Sequence, residues 1–143
     1  MSARLSLVIV LAAAWTGGAS ADPGGLAVKT GLWKKTITME SSGADLMPPM
    51  TMEVCMKANA LSFENFSRSP GDESCTWTKK SLAPTRIDVA FTCASMTGES
   101  ATEVIDDEHV RVTGTATTST GGKSQTIASS ETWEFLRSDC PGE

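Results

Sequence analysis

CTWTKKSLAPTRIDVAFTC, residues 75–93, decides the fold. Its two halves flank Ala83-Pro84, a turn signal. In the second half Ile87, Val89 and Phe91 alternate with Asp88, Ala90 and Thr92. A period of two is that of a strand with one face in a core and the other in water. If Cys75 bridges Cys93, Trp77 falls opposite Phe91 and Lys79 opposite Val89. Directly opposed residues share a face, so the bridge and the alternation support the same hairpin.

The same period extends in both directions. Towards the C-terminus, strands are expected over about Gly98–Ile105, His109–Thr118 and Lys123–Leu136. Asp106-Asp107-Glu108 turns the first pair. Gly121-Gly122 turns the second and is a two-residue hairpin signal. That turn sets Ala116 opposite Ile127 and Val110 opposite Trp133. Towards the N-terminus, Leu32–Met39 puts Trp33, Ile37 and Met39 on one face, and Met50–Met56 alternates Met50, Met52, Val54 and Met56. Ala58–Phe66 is expected to form one short helix, followed by a polar loop holding Pro70-Gly71. The expected fold is all-β: an antiparallel meander of about seven strands curving into a sheet, barrel or half-barrel, with two disulfides.

The first 21 residues read as an address. Arg4 precedes an apolar run from Leu5 to Trp15, which is too short to span a bilayer, where roughly 20 residues are needed. Ala19-Ser20-Ala21 is an A-x-A cleavage site, so a secretory signal is expected to end at Ala21. Cleavage leaves 143 − 21 = 122 residues as a single domain, residues 22–143, with core 31–141. Arg4 is the signal's only charge, so the net charge moves from −5 to −6. No later segment is apolar enough to be an integral membrane helix. A periplasmic or secreted location follows. An acidic chain without a basic stripe repels phosphate backbones, so nucleic acid is not an expected partner.

Cys55, Cys75, Cys93 and Cys140 all follow the signal. Their spacing lacks the close pairs of zinc or redox sites, and an even count in an exported chain points to structural bridges. The hairpin bridge Cys75–Cys93 leaves Cys55–Cys140, one of three possible connectivities.

Inward positions near the C-terminus are small or polar: Gly98, Ser100, Thr102, Gly114, Ala116, Ser129 and Glu131. Either they line a cavity or that part of the sheet faces water. On the first alternative Trp33, Ser100, Thr102, Ser129 and Glu131 face a ligand. Glu131, if inward, needs a partner, and Arg111 or Arg137 can serve.

Met47, Met50 and Met52 form an M-x-x-M-x-M run, with Met39 and Met56 nearby. Thioethers are soft ligands that suit Cu(I). The competing reading makes Met50, Met52 and Met56 the core face of a strand, since Met fills irregular cores. Asp106, Asp107, Glu108 and His109 are consecutive in a turn and cannot all face one ion. His109, the only histidine, points outward by alternation, and no Gly-rich loop precedes a helix. Neither catalytic residues nor a cofactor are expected. Asn65-Phe66-Ser67 matches a glycosylation acceptor.

Gly31-Leu32-Trp33, the run Met47-Pro48-Pro49-Met50-Thr51-Met52, the order of Cys55, Cys75 and Cys93, and the final Cys140-Pro141 together resemble DUF3617, a bacterial family of small exported proteins. That resemblance spans about Gly31–Pro141. It implies location and fold and transfers no catalytic residue. Gly31-x-Trp33 is also similar to the G-x-W of lipocalin-like (calycin) barrels, where the Trp closes one barrel end beneath a basic residue; Arg137 is placed to match. Seven expected strands, and a helix between the second and third, depart from that pattern. The expected role is non-catalytic binding of a small apolar ligand or lipid in the cell envelope. An envelope protein-interaction module and a Cu(I) carrier are the alternatives.

The exported protein should have the mass of the 122-residue chain beginning at Asp22, less about four hydrogens for two disulfides. A denaturing intact-mass measurement checks both; retention of the first 21 residues or four free thiols contradicts the reading.

Overall fold

Thr76–Ala83 (β6) and Arg86–Thr92 (β7) pair antiparallel, with Trp77 opposite Phe91 and Lys79 opposite Val89. The computed structural model describes residues 25–42, 44–64 and 75–142. The signal segment, the Asn65-Phe66-Ser67 match and the Pro70-Gly71 turn lie outside the described residues.

From β7 the chain runs as a true meander through β8 (Met96–Asp106), β9 (His109–Thr120) and β10 (Lys123–Arg137). Gly121 and Gly122 have φ of 59° and 77°, the left-handed pair that a tight two-residue hairpin needs. Ala116 faces Ile127 and Val110 faces Trp133.

The N-terminal strands join this meander from its far end. Gly31–Ser41 (β2) pairs antiparallel with β10 from Leu32↔Arg137 to Ser41↔Ile127. On its other side β2 carries Met50–Met56 (β4) and the short Ala44–Asp45 (β3). The order across the sheet is therefore β4 and β3, then β2, β10, β9, β8, β7, β6. A meander in chain order would place β4 beside β6. Among the described residues those two strands are unpaired edges, and the sheet joins first strand to last instead.

Two further short strands were not expected. Gly25–Ala27 (β1) pairs with Ala60–Ser62 (β5), which replaces part of the helix expected over 58–66. The reason is burial. Leu26 faces Leu61, and both are sealed against Trp33, Ile87, Val89 and Val110. Two leucines on a strand pair fill the inner face of the curved sheet, and burying each contributes about 1.5–3 kcal/mol. Tertiary packing here overrides local preference.

Gly31 has φ of 137° and lies against the backbone of Arg137 and Ser138, leaving no room for a side chain. Trp33, 1% exposed, donates its indole N–H to the Lys29 carbonyl at 3.0 Å and meets Phe135 edge-on at 5.4 Å. Arg137 pairs with Asp139 at 3.6 Å, and Lys29 stands 5.0 Å from the centre of the Phe135 ring that packs on Trp33. Among the described residues the hydrogen-bonded ladder is open between β4 and β6.

The disulfides join Cys75 to Cys93 and Cys55 to Cys140. Leu32, buried outside the main core, sits opposite Cys55, so the longer bridge ties the C-terminal tail to the outer side of β2–β4.

The bridges close segments of 18 and 85 residues. Chain entropy assigns them about 3 and about 4.5 kcal/mol respectively. Cys55→Ser/Cys140→Ser should therefore lower the urea midpoint more than Cys75→Ser/Cys93→Ser, and the reverse order would contradict this assignment.

Candidate functional site

Strand register sorts the inner face into rows. One row runs Met50, Ile37, Glu131, Val112, Thr102, Ile87. The next runs Met52, Lys35, Trp133, Val110. Above the first lie Met39, Ser129, Gly114, Ser100 and Val89.

The small-residue region is more filled on this face than its composition implies. A Cβ added at Gly98 would collide with the Phe91 ring and the Thr115 carbonyl. Phe91 thus lies over Gly98, and it also packs on Trp77 with ring centroids 5.0 Å apart. At Gly114 a Cβ would stand 3.1 Å from the Ser129 hydroxyl. Trp33 and Thr102, at 1% and 3% exposure, belong to the core and offer a ligand no surface. Ser100, Ser129 and Glu131 are half-buried.

An open trough of about 650 Å³ does run along these strands, and Ser100 and Ser129 help line it. Most of its side chains, however, come from the outer face: Asp88, Glu99, Ala101, Thr113, Thr115 and Ala128. Its walls are ion-paired. The Asp88 carboxylate accepts from Ser81 and from Arg86 at 2.9 Å, and Lys80 stands 3.8 Å from Glu99. The Ser81 hydroxyl, then Arg86, hold Asp88 below the ordinary carboxylate range. The trough thus combines ion-paired walls with a floor of small groups, among them Ala101, Gly114 and Ala128.

The exposed apolar surface lies elsewhere. Leu46, Met47, Met50 and Met52 are 44%, 39%, 41% and 43% exposed along β4 and the loop before it. Leu46 N–H bonds the Met39 carbonyl at 2.9 Å, which draws that loop towards half-buried Met39. Of the β4 methionines only Met56 packs against the core. The core-face reading of Met50 and Met52 therefore fails: among the described residues β4 is an edge of the sheet, and both side chains stay exposed there.

Next to these methionines sits an ion pair. Lys35 Nζ is 2.8 Å from Glu131 Oε2, with side chains 20% and 23% exposed. The Trp133 indole N–H donates to the same oxygen at 3.1 Å, and the Lys35 ammonium stands 5.0 Å from the Trp133 ring. Neither arginine expected beside Glu131 is there: Arg111 bonds Glu103 at 2.8 Å, and Arg137 is near Asp139. Lys35 shares the parity of Trp33 and Ile37, so a lysine at an inward position was the signal in the sequence.

The acidic turn is locally engaged. Asp106 Oδ1 accepts from the Glu108 N–H and meets His109 Nδ1, each at 2.8 Å. The Glu108 amide, then His109, hold Asp106 below its usual range. Lys29 takes Asp107 at 2.9 Å and Glu108 at 3.1 Å.

The family described as "Protein of unknown function (DUF3617)" matches residues 28–140. The chain belongs to the DUF3617 family. The match covers β2–β10 and all four cysteines and leaves out β1. No curated protein and no solved structure matches the chain. Among the described residues of this DUF3617 protein, no helix is long and apolar enough to cross a membrane. Its disulfides are compatible with export.

If Phe91 fills the space over Gly98, Gly98→Val should destabilise by about 1–3 kcal/mol, the usual cost of overpacking. Urea unfolding measures it, with Gly98→Val/Phe91→Ala as the compensating pair. A neutral single variant would mean that the space is free.

Proposed function

We propose that this protein binds a small apolar or lipid-type ligand, without catalysis, at the open β4 margin of its inner face, in the envelope or exterior of the cell. One observation carries the reading: Met50 and Met52 stand on the core-facing side of the sheet yet stay 41% and 43% exposed. Leu46 and Met47, in the loop just before β4, are exposed as well, and exposed apolar surface of this kind marks binding sites. Covering each such side chain contributes roughly 1–2 kcal/mol before the cost of association. Methionine suits the task because its flexible thioether adapts to ligands of varied shape. Export is supported by the disulfides and by the N-terminal signal pattern.

A second reading, an interaction module, draws on the sheet edges. β6 is guarded by a register break at Lys79/Ser81 and by Lys79 and Lys80. β4 pairs with β2 without a break and carries no lysine, so its free edge suits a partner strand.

The test is fluorescence of 1-N-phenylnaphthylamine with the purified mature protein. Saturable enhancement is expected, weakened about tenfold or more in Met50→Glu/Met52→Glu. Melting of that exposed-site variant should stay within about 4 °C of the parent. Loss of the apolar probe on adding Cu(I) would move the weight to a thioether metal site. An unchanged affinity in the variant, or no enhancement at all, sinks the apolar-ligand reading.

A further inference from the structure

We infer that the ligand at the β4 margin carries an uncharged head group that both donates and accepts hydrogen bonds, and that the Lys35–Glu131 pair selects it. This rests on the apolar-ligand reading and names the ligand's polar end.

The geometry places the pair beside the apolar margin. Met52 is directly opposite Lys35, and Met50 is opposite Ile37, whose other neighbour is Glu131. A chain lying over Met50 and Met52 therefore reaches Lys35 within one strand spacing, about 5 Å, and Glu131 within two, about 10 Å. Beside the β4 methionines these are the inward-facing charges of β2 and β10; the neighbouring Lys34 and Glu134 pair with each other on the outer face.

The pair is set up for a neutral partner. Both side chains are about four-fifths covered, so water screens them weakly. Lys35 and Glu131 already cancel each other at 2.8 Å. A carboxylate head group would bring a second anion beside Glu131, and a cationic one would meet Lys35. Either leaves one uncompensated charge in a half-buried apolar setting. The hydrogen-bonding capacity is not used up. An ammonium has three donors, and a carboxylate accepts at both oxygens. The Lys35 and Trp133 bonds both fall on Oε2 of Glu131. A hydroxyl accepts from Lys35 and donates to Glu131 at once. The Trp133 indole holds the same carboxylate oxygen, so the pair is held in place without the ligand. The chain's net charge of −5 works against anions as well.

The experiment is displacement of bound 1-N-phenylnaphthylamine by decanol, kept below its solubility limit, and by decanoate, kept below its micelle concentration, at pH 8. Decanol should compete at least about tenfold better with the parent protein. Glu131→Gln leaves Lys35 charged and unpaired and should reverse the order in favour of decanoate. Lys35→Gln leaves Glu131 alone and should widen the preference for decanol; it keeps the test open if Glu131→Gln folds poorly. Equal competition by the two ligands, or a ratio unmoved in both variants, overturns the head-group inference while apolar binding stands. If neither displaces the probe from the parent, the apolar-ligand reading fails and this inference with it.

Discussion

The pairing of β2 with β10 is the constraint on which everything else depends. Ten residue pairs join one end of the described chain to the other, and the contact bridges almost the whole domain. Without it the C-terminal meander is a flat ribbon with one apolar face in water, and β2–β4 is an isolated hairpin, which is marginal alone. With it Trp33 meets Phe135, and Lys35 lands between Met52 and Trp133. Loop-closure entropy opposes so distant a contact. The Cys55–Cys140 bridge acts on that term, because it holds β4 to the segment just after β10. Oxidation and the long-range pairing therefore favour each other, and each lowers the entropic cost of the other.

Closing first strand on last moves the sheet's opening to the place between β4 and β6. The inner face then has two unlike halves. One half is plugged by Leu26 and Leu61 from the β1–β5 ribbon, over Ile87, Val89 and Val110. The ribbon is only three residues wide in each strand, so it covers one part of the face. The other half ends at β4 with Met50 and Met52 exposed. An apolar edge that is not needed for the core costs solubility, and a protein of this net charge tolerates it.

How much was legible in the sequence follows the range of the interaction. The hairpins of β6 to β10 were legible because turn chemistry and side-chain parity are local: Gly121-Gly122 fixes one register, and Cys75–Cys93 agrees with another. The neighbour of β2 was not legible, since nothing near Trp33 or Lys35 encodes a partner a hundred residues away. The helix expected over 58–66 failed at Leu61 for the same reason, because its partner Leu26 lies far back along the chain. At the candidate site, Glu131 was found by parity and its partner missed. Lys35 is a charge at an inward position, and the pattern of Trp33, Ile37 and Met39 was read around it. The small residues misled differently. Gly98 marks not an empty space but one occupied by Phe91, whose ring crosses from the neighbouring strand.

That distinction separates the two faces as well. A glycine on an inner face records the shape of its neighbour, so low side-chain volume alone is weak evidence for a cavity. Exposure of large apolar side chains is stronger, because water makes it unfavourable wherever burial was available. The outer trough has volume, yet the charged side chains along its walls are already paired, as at Ser81, Arg86 and Asp88. At the β4 margin the methionines stay exposed. Burial free energy scales with apolar area removed from water, not with the size of the hollow. The proposed ligand would remove the exposed methionines of the margin from water, and the Lys35–Glu131 pair is the polar feature beside them.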